Sequence, residues 1–271
     1  MSVKKKNLGE RLEAGQYNEN TSEHLHRYAL AMTLCEGKKV LDIACGEGYG
    51  SNLMSKKAAS VSGVDIDEET VALAKAKYVA NNLEYKVGRA DKIPYEAASF
   101  DVVISFETLE HHDKHNEMME EIKRVLKPGG ICVISTPDKL IYSDKKNYKN
   151  PFHVKELYKD EFHKLVSTYF KNVTILKQQF FSGSLIVPTN YSEPGLAAFK
   201  GDFNYIDSHS EIEAEYLIAF ASDSSMVPKN ASVFIDTDFA QNKVLQFQQS
   251  SLRYKLGNFL LAPIKFLRGK K

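Results

Sequence analysis

The sequence predicts an α/β fold, a doubly wound and mostly parallel sheet, and three observations carry that prediction. From Asp42 to Pro137, short apolar runs alternate with helical ones. That alternation is the signature of strand–helix units wound into a parallel sheet. The first apolar run, Val40 to Ala44, stops at three glycines, Gly46, Gly48 and Gly50, within VLDIACGEGYGS. Acids then recur at or near the carboxyl ends of the expected strands: Asp42, Asp65, Asp91 and Glu107. Right-handed crossovers put all such ends on one rim, so residues spread over 65 positions can surround one ligand.

The elements follow in order. Before the first strand lies GERLEAGQYNENTSEHLHRYALAMTL, and from Ser22 onward Leu25, Tyr28, Ala29 and Met32 have amphipathic-helix spacing. Such a helix can close over the ligand crevice, with Arg27 and Tyr28 reaching a ligand carboxylate, Arg27 through two prongs. After Val40–Ala44 the glycines let a backbone approach a ligand where a side chain would block it. The helix expected near Tyr49 aims its free N–H groups at the same place. A second strand, Ala59 to Val64, ends in Asp65, 17 residues after Gly48, where an acid can take both ribose hydroxyls of a nucleoside. A third, near Glu84 to Val87, runs into Asp91, placed to accept from an exocyclic adenine amine. The fourth, Phe100 to Ser105, leads into FETLEHH. A helix from Asn116 to Leu126 is closed by Lys127–Pro128–Gly129–Gly130, a stop of cation, proline and glycine. Ile131 to Ser135 is a buried strand. Beyond a polar stretch, Asp160 to Phe170 reads as a helix, Val173 to Gln179 as a strand, and Glu215 to Ala221 as the last strand. Between them, Phe180 to about Glu213 is too irregular for a core and too apolar for disorder, which suits a cap over the acceptor side. The chain therefore divides into an N-terminal helical lid (1–36), an α/β core (37–180), a cap or insertion with the last strand (181–238), and a basic amphipathic tail (239–271).

Composition narrows the partners. Lys and Arg number 36 against 35 Asp and Glu, so no whole-chain field favours nucleic acid. No run approaches the roughly 18 apolar residues of a membrane span, and MSVKKKNLGE lacks the apolar core of a signal peptide. Cys35, Cys45 and Cys132 are odd in number and widely spaced, as buried reduced thiols of a cytoplasmic protein would be. After Asp238 there is no acid, and seven cations alternate with Leu, Phe and Ile. Such a tail can lie on the anionic inner face of a membrane or dock on its own domain, with Pro263 bending it.

The glycine loop alone also fits an NAD site, but that fingerprint wants glycine where this chain has Ser51. With Asp65, Asp91, SFDVVISFETLEHH and LKPGGICVIST, the stretch from Leu12 to Val173 resembles the class I S-adenosylmethionine-dependent methyltransferases. The resemblance implies a seven-stranded Rossmann-like sheet and S-adenosylmethionine as cofactor. In order, GERLEAG, EHLHRYALA, VLDIACGEGYGS, VSGVDID, SFETLEHH, STPDK and NPFHVKEL look most like the bacterial methyltransferases of O-antigen and capsule biosynthesis. Those act on sugar hydroxyls or terminal phosphates of glycan precursors. By that resemblance the cofactor contacts fall on Arg27, Gly46, Gly48, Asp65, Ile66, Asp91 and Phe106, beside Asp42 at the end of the first strand. The family often has Asn where this chain has Asp138.

Methyl transfer from a sulfonium needs alignment of the acceptor and, for a high-pKa acceptor, a base. Glu107, His111 and His153 are the catalytic candidates. If Glu107 to His111 turns helical, positions 107, 110 and 111 share one face. Two carboxylates and an imidazole there would suit Mg2+ or Mn2+. Glu-x-x-Glu-His resembles the metal motif of small-RNA 2′-O-methyltransferases and ubiquinone-pathway O-methyltransferases, which implies a metal set of Glu107, Glu110, His111 and His153. The expected activity is methyl transfer to an oxygen of a small or lipid-linked glycan acceptor. The alternatives are a metal-dependent RNA 2′-O-methyltransferase, an enzyme for another small acceptor, a cofactor-binding protein without catalysis, and a nucleotide-dependent oxidoreductase.

Overall fold

The computed structural model describes residues 19–181, 199–201, 206–208, 213–224 and 232–234. Seven strands form one sheet: β1 (Lys39–Ile43), β2 (Ser60–Asp65), β3 (Leu83–Val87), β4 (Phe100–Phe106), β5 (Leu126–Pro137), β6 (Asn172–Gln178) and β9 (Tyr216–Ser222). Their spatial order is β3-β2-β1-β4-β5-β9-β6. Neighbours from β3 to β5 run parallel, whereas β9 runs antiparallel to both β5 and β6. A separate antiparallel pair joins β7 (Phe199–Gly201) and β8 (Ile206–Ser208). The tail and most of the expected cap lie outside the described residues.

Strand alternation builds the two layers. Successive side chains on a strand point to opposite faces, so neighbours in sequence enter different cores. Leu41, Val103, Ile134, Leu217 and Ala219 join the core under α4 (His115–Val125) and α5 (Lys159–Tyr169). Val40, Val102, Ile104, Val133, Ile218 and Phe220 join the opposite core, under α1 (Glu19–Met32) and α2 (Tyr49–Ser55). All these strand residues are buried. The third helix, α3 (Glu68–Lys77), starts at Asp67, whose carboxylate accepts from the Thr70 backbone N–H at 3.2 Å. Asp67 thereby caps the helix that β2 feeds.

Two local expectations are corrected. The apolar spacing read for α1 does not describe its buried face: Ala29 is exposed, while Glu23, Arg27, Tyr28 and Ala31 are buried. The helix buries polar groups because partners just past β4 and on β6 await them. Helix α4 does stop before Lys127, but the strand expected from Ile131 starts earlier. β5 begins at Leu126, directly after α4, and the register between β4 and β5 shifts between Phe100 and Val102.

Candidate functional site

A cavity of about 550 Å³ opens at the carboxyl rim of β1, β2 and β4, within the size range of small-molecule sites. One half of its wall is the glycine turn with the ends of β2 and β3. Ala44, Cys45 and Gly46 line it, with Asp65, Ile66, Arg89 and Asp91. Gly46 has a φ of +53°, and a Cβ built on it would meet nothing within 4 Å, so its bare backbone faces the cavity. Its N–H donates to Asp65 Oδ2 at 2.9 Å, while Asp67 N–H donates to Oδ1 at 3.0 Å. Two backbone donors thus fix the Asp65 carboxylate at the rim.

The other two glycines serve a different purpose from the one expected. A Cβ on Gly48 would sit 2.6 Å from the Tyr85 ring, and Tyr85 O–H donates to the Gly48 carbonyl at 2.8 Å. A Cβ on Gly50 would fall 1.9 Å from the Tyr28 ring. These positions are glycine because an aromatic ring of the protein fills the space. Gly48 is not on the cavity wall.

Asp42 and Arg27 are likewise absent from the wall. Asp42 is buried beneath the turn, accepting from Ser51 Oγ at 2.6 Å and from Tyr28 O–H at 3.4 Å. Burial pushes its pKa up to about 7 despite those bonds. Ser51, the residue that departs from the NAD fingerprint, is therefore spent on Asp42. Arg27 is 1% exposed. Its Nη1 lies 2.8 Å from Glu107 Oε1, its Nε–H donates to Gln178 Oε1 at 2.7 Å, and its guanidinium covers the Tyr216 ring at 4.6 Å. With the guanidinium so engaged, the α1 side of the wall is supplied instead by Asn20, His24 and Tyr28. These stand at i, i+4 and i+8, one helix face. His24 Nδ1 lies 3.0 Å from Tyr49 O–H, and burial pushes its pKa well down. That spacing was present in the sequence and could have been found.

Asp91 lies on the wall but is already paired. Arg89 grips it at 2.7 and 2.9 Å, and Lys114 Nζ reaches it at 2.8 Å. The hydrogen bonds from Arg89 and then Lys114 hold its carboxyl well below the usual range. Phe106 lines the centre of the cavity, edge-on to Tyr28 with ring centroids 5.1 Å apart.

Besides His24 on the α1 side, the wall carries the imidazoles of His111, His112 and His153. The single helical face expected for residues 107, 110 and 111 is not formed. Glu107 has a φ of +51°, in the left-handed region, and only Leu109–His111 make a turn of 3-10 helix. Glu107 lines the cavity, yet its carboxylate is held by Arg27 and by Ser135 O–H at 2.5 Å. Glu110 is buried beside it and accepts from Thr136 O–H at 3.0 Å. Burial, and then the Glu107 charge, push its pKa well above the carboxylate range. One ligand atom each from Glu110, His111 and His153 lies within 4.8 Å of the others. Glu107 is not among them, so the four-residue metal set reduces to three.

His111 and His153 differ in how their ring nitrogens are engaged. His153 Nδ1 lies 2.6 Å from Glu156 Oε1, and its Nε2 lies 3.1 Å from Asn150 Nδ2. Asn150 is oriented by Phe152 N–H, which donates to its Oδ1 at 3.0 Å. Neutral His153 therefore donates from Nδ1 and accepts at Nε2. His111 Nδ1 lies 3.1 Å from the Phe152 carbonyl. A carbonyl only accepts, so Nδ1 carries the proton and Nε2 keeps its lone pair. Tyr142, Phe152 and Tyr216 complete this side. Asp138, the departure from the resembled family, is behind the wall; its carboxylate accepts from Leu140 N–H at 3.2 Å. The cysteines are free and buried, and burial raises Cys35 and Cys132 to about 12.

The chain is similar in sequence and fold to known proteins. Residues 41–134 match the family model of a methyltransferase domain. A relative from Mycolicibacterium smegmatis, named "Probable S-adenosylmethionine-dependent methyltransferase/", is 37% identical over 163 residues, 59% of this chain and 63% of that protein. The ubiquinone biosynthesis O-methyltransferase of Psychrobacter arcticus is 38% identical over 106 residues, 37% of this chain and 41% of that one. The chain thus spans less than two thirds of either relative. Among solved structures, the YcgJ protein of Bacillus subtilis matches with a TM-score of 0.54 at 18% identity, covering 74% of this chain and all of that one. The [4+2]-cyclase SpnF matches at 0.50 and 19% identity, over 62% of this chain and 63% of its own. At such identities these two speak for the fold alone, and a cyclase among them shows that the fold does not dictate the chemistry. Among the described residues no helix is long and apolar enough to cross a membrane.

Proposed function

We propose that the protein transfers a methyl group from S-adenosylmethionine to an oxygen of a polar acceptor, a sugar hydroxyl or phosphate of a surface-glycan precursor. The observation that carries this is the shared cavity. A glycine turn with a bare backbone and a fixed carboxylate lines one half, and an imidazole with an unengaged lone pair lines the other. The residues present fit the cofactor. Asp65 suits ribose hydroxyls, the open backbone at Gly46 suits close approach, and Asn20, His24 and Tyr28 supply polar atoms at the α1 end. When bound, the cofactor supplies an electrophilic methyl whose leaving group is a neutral thioether.

The chain must then orient the acceptor and take its proton. His111 Nε2 is the base, because the Phe152 carbonyl fixes its tautomer. His153, held between Glu156 and Asn150, positions the acceptor side rather than serving first as base. The glycan class rests on the resemblance of the sequence motifs to those of O-antigen and capsule enzymes. Titrating S-adenosylhomocysteine into wild type and Asp65→Ala by calorimetry tests the cofactor half. Equal affinities would remove Asp65 from ribose binding. Radiolabelled methyl transfer to sugar nucleotides and lipid-linked saccharides tests the acceptor half, and label appearing only on RNA would overturn it.

The Glu110, His111 and His153 cluster favours a second reading, in which a divalent cation lowers the acceptor's pKa. Activity lost to EDTA and restored by Mn2+ or Mg2+ would select it; unchanged turnover would discard it.

A further inference from the structure

Exposed large apolar side chains are not scattered evenly over the described surface. Leu140 (45% exposed), Tyr148 (47%), Phe152 (46%), Val154 (64%) and Tyr158 (37%) all fall in one stretch of chain. Six lysines are interleaved with them between positions 139 and 159: Lys139, Lys145, Lys146, Lys149, Lys155 and Lys159. Two acids accompany them, Asp144 and Glu156, and Glu156 is turned inward onto His153.

The stretch folds into a compact lobe rather than an extended strap. Lys139 N–H donates to the Leu157 carbonyl at 3.1 Å, and Tyr158 O–H donates to Asp144 at 2.9 Å. Tyr142 and Tyr148 lie with rings 5.9 Å apart. The lobe is anchored to the cavity wall, since Val154 N–H donates to the Glu110 carbonyl at 2.7 Å. Tyr142, Phe152 and His153 reach from it into the cavity. Lys145 and Lys146 pair with Glu213 and Glu215, whereas Lys149 and Lys155 are exposed and have no carboxylate partner among the described residues.

Clustered apolar side chains exposed on a rim mark an interaction surface. Interspersed lysines that outnumber acids specify an anionic one. We infer that the lobe from Lys139 to Lys159 rests on an anionic phospholipid surface, with Leu140, Tyr148 and Val154 entering the headgroup layer and the lysines meeting its phosphates. The cavity then opens toward the membrane, and an acceptor headgroup enters past Phe152. This surface is distinct from the tail, and its test reads vesicle binding rather than turnover, so it stands or falls separately from methyl transfer.

Sedimentation of the full chain with phosphatidylcholine vesicles, and with vesicles that also contain phosphatidylglycerol, tests it. Binding only to the anionic vesicles is expected. The triple variant Lys149→Glu, Lys155→Glu, Val154→Ser should lose on the order of tenfold or more in partitioning, from two reversed surface charges. Equal partitioning of variant and wild type would assign binding to another part of the chain and overturn the inference. So would the absence of anionic-vesicle binding by wild type. Because the chain has no tryptophan, Val154→Trp gives a sole indole reporter that needs no loss of folding or charge. Its emission should shift to the blue and be quenched by brominated acyl chains on anionic vesicles. An unchanged spectrum with the protein bound would also overturn the inference.

Discussion

The two halves of the cavity rim are built on opposite principles. On the glycine-turn side the protein has settled its own contacts: Asp65 is held by two backbone N–H groups, Gly48 and Gly50 are filled in by Tyr85 and Tyr28, and Asp42 is covered by Ser51. On the far side, buried Glu110 crowds against partly exposed Glu107, Glu107 holds a left-handed backbone, and the imidazole of His111 keeps a lone pair. One half is a fixed mould, where shape decides. The other brings acids and imidazoles together, which is what the proposed methyl transfer would require of it.

Replacing Gly50 with valine should break the first half most severely. Its Cβ would overlap the Tyr28 ring, and with no flexible chain end to yield, α1 must separate from the turn. We expect a loss of folded protein, or of about 3 kcal/mol or more in urea unfolding with S-adenosylhomocysteine binding abolished. Arg27→Met should come next. It strands the Glu107 carboxylate at a site where Arg27 is 1% exposed and Glu107 is 14% exposed. A cost of about 3–5 kcal/mol is expected, with partial recovery in Arg27→Met/Glu107→Gln. A double variant no more stable than the single one would mean that the ion pair is not what joins α1 to the sheet.

Chemistry should respond only on the far side. His111→Gln is expected to lower kcat about 10²–10³-fold while leaving S-adenosylhomocysteine affinity within about twofold. A larger effect in His153→Gln than in His111→Gln would reverse the assignment of base and positioning residue. The smallest effect expected is a pH dependence of stability. Asp42 and Glu23, each raised by burial to about 7, hold protons in the folded state that the unfolded chain has released. Their contribution is full below about pH 4 and is lost as the pH rises through 7. The Tm advantage of Asp42→Asn over wild type should therefore grow from pH 5 to pH 8. A constant difference would show that Asp42 is ionised in the fold at both values.

The same contrast explains what the sequence could disclose. The alternation of strands with helices and the rim positions of Asp65 and Asp91 were legible because apolar periodicity and crossover handedness are local or universal rules, whereas Phe106 came from family resemblance. The count of seven strands came from family resemblance, not from periodicity, and the reversal of β9 is seen only in the fold. The pairing of Arg27 was not legible because its partners are distant: Glu107 is 80 positions on and Gln178 is 151. A helix that buries a cation looks, in isolation, like one that exposes it. Glu107 was placed on a helical face because spacing cannot report a positive φ. The glycines were read as making room for a ligand, and only the fold reveals that two of them make room for tyrosines.

That last finding links two positions whose sizes must trade against each other. Residue 28 occupies the volume that residue 50 forgoes, across the boundary between the leading helix and the nucleotide turn. A homologous chain with a small residue at 28 would be free to carry alanine or serine at 50, and one retaining tyrosine would not. Paired substitution, Tyr28→Ala with Gly50→Ala, should be tolerated better than Gly50→Ala alone. The leading helix is thus recorded inside the loop it covers, as a missing methyl group.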